Sequence, residues 1–199
     1  NIIKAANRAI QTDYATQEAA GNLHLITIGK KATDFYKKKN ANIYRTYDSI
    51  FDSLSYDKVS VIAEEVMQLF AEKKYDKIVL VYNHLKNAAV QIQMVEPFLP
   101  VSPVDDTVKA SSKTDYIYEP DKETIVKELI PKTLKTQFYR ALLDSFAAEH
   151  GARMTAMHTA TDNAKQLLSE LQLTYNKARQ ATITKEILEI VSGAEALKG

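Results

Sequence analysis

The sequence predicts an α/β fold that is followed by one long helix running to the C-terminal end of the chain. Three observations support this prediction. Short apolar runs alternate with amphipathic segments through the first half of the chain, which is the pattern of an α/β layer structure. All five prolines lie at or before Pro131. After Pro131 the apolar residues recur at steps of three and four, as on one face of an α-helix.

Composition excludes several classes of function. The chain has 199 residues, of which 45% are hydrophobic, so it can bury a core. Its formal net charge of +1 is not the basic footprint of a nucleic-acid-binding protein. The absence of cysteine excludes disulfides, thiol catalysis and cysteine metal sites. No signal peptide is visible, and no apolar run approaches the roughly 20 residues of a membrane helix.

The first elements alternate between helix and strand. In chain order, we expect a helix over 1–20 that ends at Gly21 and Asn22, a strand over 23–29, a short helix in "KKATDFYKKK", a strand over 41–48, an amphipathic helix over 60–74 and a strand over 76–83. The last strand is a near-continuous apolar run, which suits a strand buried on both faces of a parallel sheet. Because the chain opens at Asn1 in a helical pattern, we also expect further sequence upstream of it.

The pattern changes after these elements. "AVQIQMV" alternates apolar residues with glutamines, which predicts a half-exposed, antiparallel strand. "PFLPVSPVDD" holds three prolines and predicts a loop. "DYIYEPD", residues 115–121, predicts a last short strand or extended edge that Pro120 ends. The expected domains are therefore an α/β domain over 1–120 and a helical region over 121–199.

The C-terminal helix is expected to begin with Pro131 in its first turn, where the missing N–H costs nothing. The pattern then stays helical from Lys132 to Leu197 and is interrupted only by Gly151 and Gly193. At 1.5 Å per residue such a helix spans about 100 Å, whereas a 130-residue domain is only about 30–40 Å across. The helix should therefore project, unless it breaks near Gly151.

A coiled-coil seam is visible on this helix. Its residues step alternately by four and three, and they are Met157, Thr161, Ala164, Leu168, Leu171, Tyr175 and Ala178. Such heptads predict a coiled coil, whose partner would be a long helix upstream of Asn1 or another chain. The alternative is an ordinary amphipathic helix lying on its own domain.

No catalytic, cofactor or metal site is apparent in the sequence. The Gly29-Lys30 pair lacks the leading glycine and the following Ser or Thr of a phosphate-binding loop. His150 and His158 lie eight residues apart, which is too far to share a metal ion on one helix. No Ser/His/Asp arrangement has a supporting motif.

The C-terminal blocks carry a family resemblance. "ITKEILEIVSGAEA", residues 183–196, resembles the C-terminal signature of the gamma subunit of F-type ATP synthases, and every constrained position of that signature agrees. "RMTAMHTATDNA", "LQLTYNKARQA" and "DYIYEPD" are similar to the same family. The resemblance is looser in the N-terminal half. The family's long N-terminal helix and its first strand, with the turn that follows it, are absent from this sequence.

The resemblance implies both a fold and a role. The fold would be a Rossmann-like, mostly parallel sheet with its first strand missing, which forms a foot, followed by a helix that is half of an antiparallel coiled coil. The role would be that of a non-catalytic rotor shaft without a cofactor. Its partners would be the alpha and beta subunits of the catalytic head, the epsilon subunit and the membrane ring of c subunits. Its place would be peripheral, on the cytoplasmic face of the bacterial inner membrane. The alternative is an independent α/β small-molecule-binding or enzymatic domain with a helical dimerisation tail.

The resemblance also assigns contact residues. Arg179, Gln180, Thr184 and Glu186 would contact beta subunits. An apolar bearing surface would comprise Ile187, Ile190, Val191 and Leu197. Tyr116, Tyr118 and Glu119 would face the membrane ring. The alternative is that Thr184 and Glu186 are solvated helix positions and that the two tyrosines cover the sheet as an edge strand.

Overall fold

The computed structural model describes residues 2–87, 90–101, 119 and 121–197. Its elements are α1 (Ile2–Asp13), α2 (Ala15–Ala19), β1 (Leu25–Ile28), α3 (Lys30–Lys38), β2 (Ile43–Tyr47), a 3-10 turn (Ile50–Ser53), α4 (Tyr56–Ala71), β3 (Ile78–Leu85), β4 (Gln91–Leu99) and α5 (Lys122–Ala196). The expected fold class, an α/β arrangement with a long C-terminal helix, is confirmed. Most of the expected strand at 115–121 lies outside the described residues.

The four strands form two small sheets. β1 and β2 are parallel, with Ile28 opposite Tyr47, as expected from the alternation of strand and helix. β3 and β4 are antiparallel, with Val81 opposite Val95, and this confirms the antiparallel expectation for β4. β3 differs from its expectation, because it pairs with β4 rather than in a parallel ladder and is half-buried throughout. Its continuous apolar run reflects helices packed on it rather than a central parallel position.

The helix expected over 1–20 is two helices that are separated at Tyr14. The helical region ends just before Gly21, as expected. Gly21 has a φ of 74°, a left-handed conformation that favours glycine. Gly29, with a φ of 103°, turns the chain from β1 into α3. A Cβ at this position would meet the ring of Phe51 at 3.4 Å, an ordinary contact, so it is the backbone conformation that favours glycine here.

The chain divides into two compact units, residues 1–152 and 153–199. The core of the first unit lies between α4, β4 and the early part of α5. Its buried residues are Val59, Ile62, Ala63, Val66, Phe98, Leu99, Leu134, Phe138 and Leu142. The rings of Phe98 and Phe138 lie 5.7 Å apart and join β4 to α5. The first 31 residues of α5, 122–152, therefore belong to the compact α/β unit. The expected division of the chain into a foot over 1–120 and a shaft over 121–199 stays a prediction.

α5 begins at Lys122, ahead of the Pro131 start that the proline pattern predicted. Pro131 lies inside the helix and not in its first turn. The helix begins after Asp121, whose carboxylate accepts hydrogen bonds from the Thr124 N–H at 2.8 Å and the Thr124 hydroxyl at 2.7 Å. These bonds lower the pKa of Asp121. A carboxylate cap at the positive end of the helix dipole explains why the helix can start there.

None of the helices in the described part of the chain is long and apolar enough to cross a membrane.

Candidate functional site

The second unit spans residues 153–199, of which 153–197 are described, and it holds the C-terminal part of α5. Every described side chain in it is exposed. Its large apolar side chains range from 47% exposed at Met154 and Ile183 to 90% exposed at Leu197. Contiguous apolar surface of this kind marks a site of interaction with another protein. The candidate functional site is therefore a contact surface along this helix.

The expected seam lies on this exposed helix. Met157, Leu168, Leu171 and Tyr175 are each 57% to 67% exposed. At 3.6 residues per turn, the seven seam residues fall within an arc of about 100°. Thr161 is a polar residue of the seam, and its hydroxyl donates to the carbonyl of Met157 at 2.8 Å. Its proton would therefore not be left without an acceptor if a partner helix covered the seam. The small side chains of the seam leave room for another helix to approach closely.

The polar and apolar residues assigned to the tip share one side of the helix. At about 100° per residue they fall within an arc of about 160°, and this arc holds Arg179, Gln180, Thr184, Glu186, Ile187, Ile190, Val191 and Leu197. We call this surface the tip arc. Its four apolar members are 52% to 90% exposed. Long polar side chains and apolar side chains would therefore meet a partner together.

The hydroxyl of Thr184 can accept a hydrogen bond from a partner, but its own proton is already donated within the helix. This hydroxyl donates to the carbonyl of Gln180 at 2.9 Å, within the same helix. A partner can still donate to the oxygen of Thr184, because a hydroxyl has two lone pairs. Thr182 makes the same internal bond, to the carbonyl of Ala178 at 3.1 Å, but lies outside the tip arc.

The seam and the tip arc lie on different sides of α5. Their centres are about 110° apart around the helix axis, by the same helical geometry. When the seam is extended past Ala178, it meets Thr182, Lys185 and Glu189 instead of apolar residues. Lys185 and Glu189 form an exposed ion pair at 3.8 Å. The apolar seam therefore ends near Ala178, and a second apolar surface begins near Ile183.

The residues assigned to the membrane ring cannot be placed together. Tyr116 and Tyr118 lie outside the described residues. Glu119 is described and exposed. Their expected role stays a prediction.

A polar joint between α5 and the β3–β4 hairpin was not visible in the sequence. Tyr82 donates to Glu96 at 2.9 Å, and Gln137 of α5 donates to the same carboxylate at 3.2 Å. Burial, reinforced by the hydrogen bond to Glu96, raises the pKa of Tyr82 to about 12. His84 also lies 2.7 Å from the carboxylate of Asp144. These partners are 14 to 60 residues apart, so no local motif could indicate them.

Within the described ranges, no group of three or more His, Asp or Glu side chains could hold a metal ion. The arrangement on α5 offers shape, apolar area and hydrogen-bonding groups. It is suited to contact with other proteins.

Comparisons with known proteins agree along the whole chain. A sequence model of the family described as ATP synthase matches residues 1–197. The ATP synthase gamma chain of Christiangramia forsetii is 56% identical over 199 residues, which cover 100% of this chain and 67% of that protein. The gamma chain of Flavobacterium johnsoniae is 52% identical over 199 residues, which again cover 100% of this chain and 67% of that protein. This chain thus spans about two thirds of the length of these relatives.

Solved structures share the fold. A chain of the central stalk and c-ring of the Tetrahymena thermophila mitochondrial ATP synthase has a TM-score of 0.55 at 21% identity, covering 80% of this chain and 67% of that chain. A chain of the Euglena gracilis mitochondrial ATP synthase rotor has a TM-score of 0.52 at 21% identity, covering 92% of this chain and 71% of that chain. At this identity the likeness concerns the fold alone.

Proposed function

Since the chain belongs to the family of ATP synthase gamma chains, we propose that it serves as the central-stalk, or rotor-shaft, subunit of an F-type ATP synthase. In this role it is a non-catalytic subunit, and the complex as a whole is the catalytic entity. The shaft couples proton-driven rotation to conformational change in the catalytic beta subunits.

The exposed helix at residues 153–197 is the observation that carries this proposal. Its apolar side chains lack cover in the described chain, and Leu171, Tyr175 and Ile190 are 57%, 67% and 72% exposed. Each buried apolar Å² is worth roughly 25 cal/mol, so covering this surface with partner subunits would stabilise an assembly substantially.

A rotating shaft changes a catalytic site only if it contacts the conformations of that site differently. The tip arc meets this requirement, because it covers less than half of the circumference of the helix. Side chains such as Arg179 and Glu186 can make and break charge-assisted hydrogen bonds, worth roughly 1.5–3 kcal/mol each, as the shaft turns. Bonds of this strength bias a site without fixing the shaft at one angle.

The partners and location follow from this role. The tip arc would contact beta subunits within the ring of alpha and beta subunits, and residues 1–120 would form a foot on the ring of c subunits together with the epsilon subunit. Glu119, exposed beyond the β4 strand, is the described member of the expected ring contact. The seam would pair with a long helix. The complex would place this subunit peripherally at the cytoplasmic face of the bacterial inner membrane.

A substitution at the tip arc tests the proposal. Thr184→Val removes the hydroxyl that could accept a bond from a beta subunit and keeps the shape of the side chain. Combined with Gln180→Ala, it should slow steady ATP hydrolysis by the assembled complex about tenfold, the effect of losing one or two hydrogen bonds. The helix should stay intact by circular dichroism.

Thr182→Val is the matched control, because Thr182 makes the same internal bond on another side of the helix. It should leave turnover within about twofold of the wild-type rate, given that surface changes outside a contact cost under about 0.5 kcal/mol. Normal assembly and turnover in the Gln180/Thr184 variant would refute the tip contact. Failure of the wild-type chain to co-purify with beta and epsilon subunits would refute the shaft role and favour an independent domain.

A further inference from the structure

The β2 strand leaves one edge of its sheet open. β2 pairs with β1 along one edge, and no strand within the described ranges pairs with its other edge. An edge strand presents unpaired N–H and C=O groups in a row, and these can bond a further strand. Open edges of this kind are used by proteins that bind extended peptide segments.

A shallow and largely open depression, called the groove below, lies along this strand. It is lined by Lys37 at the end of α3 and by the consecutive residues 40–46. Because successive side chains of a strand point to opposite faces, a groove lined by consecutive residues follows the backbone edge and not one face of the sheet. The groove therefore lies where an added strand would run.

The side chains along the groove favour an acidic occupant. Lys37 and Arg45 line it, and none of its lining residues is acidic. Arg45 is held in place by Glu65 at 2.7 Å, while its side chain stays 53% exposed. Because Arg45 is paired with Glu65, Lys37 is the cation of the groove for which the described residues show no ion pair.

Aromatic rings extend the same surface. Tyr44 of β2 is 39% exposed, and its ring lies 6.3 Å from the ring of Tyr75 in an edge-on arrangement. The Tyr75 ring lies 5.4 Å from His24, and the Arg45 guanidinium lies 5.9 Å from the Tyr44 ring. Fixed tyrosines beside arginine are enriched where proteins bind one another.

We propose that the open edge of β2 binds an extended, carboxylate-bearing segment of another subunit, which adds to the sheet as a third strand. This inference rests on the proposed function, because it requires a multisubunit complex. The main-chain groups of β2 would supply affinity, and Lys37 would select an acidic segment, with Arg45 sharing its charge between that segment and Glu65. A second copy of this chain fits less well, because self-pairing at this edge would place these cations against each other.

Hydrogen exchange tests strand addition directly. The amides of residues 43–47 that face the open edge should exchange at least about tenfold more slowly in the assembled ATP synthase than in the dissociated chain, because main-chain bonds protect them. Contact through side chains alone would leave these amides unprotected. Lys37→Glu should reverse most of this protection and leave the rest of the foot unchanged.

Lys4→Glu on α1 is the matched control, since it makes the same charge change away from the groove and should keep the protection. Unchanged exchange in a complex that contains the chain would overturn the inference and leave the shaft role standing. Protection of the dissociated chain that rises with its concentration would point to self-pairing and also overturn it. A chain that never enters the complex would overturn the proposed function first, and this inference with it.

Discussion

At the scale of single residues, Tyr82 shows how burial and one hydrogen bond act on the same group. Its hydroxyl donates to Glu96, which also accepts a bond from Gln137 of α5. Ionising this phenol would put a second negative charge beside a carboxylate in a partly buried position. The pKa of Tyr82 therefore rises from 10.0 to about 12.

This shift predicts a loss of stability at alkaline pH. The folded pKa is above the unfolded one, so the contribution of Tyr82 is complete below pH 10.0 and is lost as the pH rises towards about 12. Tyr82→Phe should cost about 1 kcal/mol at pH 8 through the lost hydrogen bond. The difference from the wild type should shrink by pH 11. Urea unfolding at the two pH values measures this, with the exposed Tyr175→Phe as the control. A constant difference would contradict the assignment.

Phe98 gives a second prediction at this scale. It is 1% exposed and packs on Phe138, so it joins β4 to α5. Phe98→Ala should destabilise the compact unit by about 3–5 kcal/mol, because it removes apolar contacts and leaves a cavity. Val61→Ala is the control, because Val61 is 64% exposed, and it should change stability by less than about 0.5 kcal/mol. Equal losses in denaturant unfolding would show that the core is placed wrongly.

At the scale of elements, α5 is one continuous helix with two kinds of surface. Leu134, Phe138 and Leu142 are buried in the compact unit, whereas the described residues beyond Ala152 are all exposed. Near the end of the helix, a Cβ on Gly193 would meet nothing within 4 Å. A glycine in an open helical position weakens the helix by roughly 0.5–1 kcal/mol relative to alanine.

Gly193→Ala should therefore increase the helicity of the dissociated chain, seen by circular dichroism at 222 nm. If the surrounding ring of subunits needs a slim shaft, the same change should slow turnover of the complex severalfold despite the stronger helix. Ser192→Ala makes a comparable gain in helix propensity on another side and should leave turnover unchanged. Faster or unchanged turnover in Gly193→Ala would show that the glycine does not serve clearance.

The sequence was informative about elements wherever local chemistry decides the structure. The period of the apolar residues located α4 and α5, and Gly21 located the end of the first helical region. The expectation that Pro131 stands in the first turn of α5 was wrong, because the cap at Asp121 starts the helix about two and a half turns earlier. The bond between Gln137 and Glu96 joins residues 41 apart in sequence, which periodicity does not encode. The pairing of β3 with β4 is a hairpin between consecutive strands, but the apolar run of β3 alone does not distinguish an antiparallel from a parallel neighbour.

At the scale of the whole molecule, all the large apolar side chains described on residues 153–197 are exposed, and exposed apolar surface promotes association. We expect the dissociated chain to self-associate as its concentration rises, in a manner that added salt does not weaken, because the surface is apolar. Analytical ultracentrifugation of the wild type and of a Leu168→Gln, Leu171→Gln variant tests this. The variant should associate at least about tenfold more weakly. Association that salt abolishes would assign it to charged groups instead.

The exposure of residues 153–197 also bears on how long the subunit survives in a cell. A helix without buried side chains opens locally at little cost in free energy, and proteases cut the open form. An unassembled copy would thus be degraded from this region, whereas an assembled copy would have it enclosed by its partners. Degradation of unassembled copies would then keep the number of these subunits equal to the number of complexes, without a separate regulator of subunit synthesis.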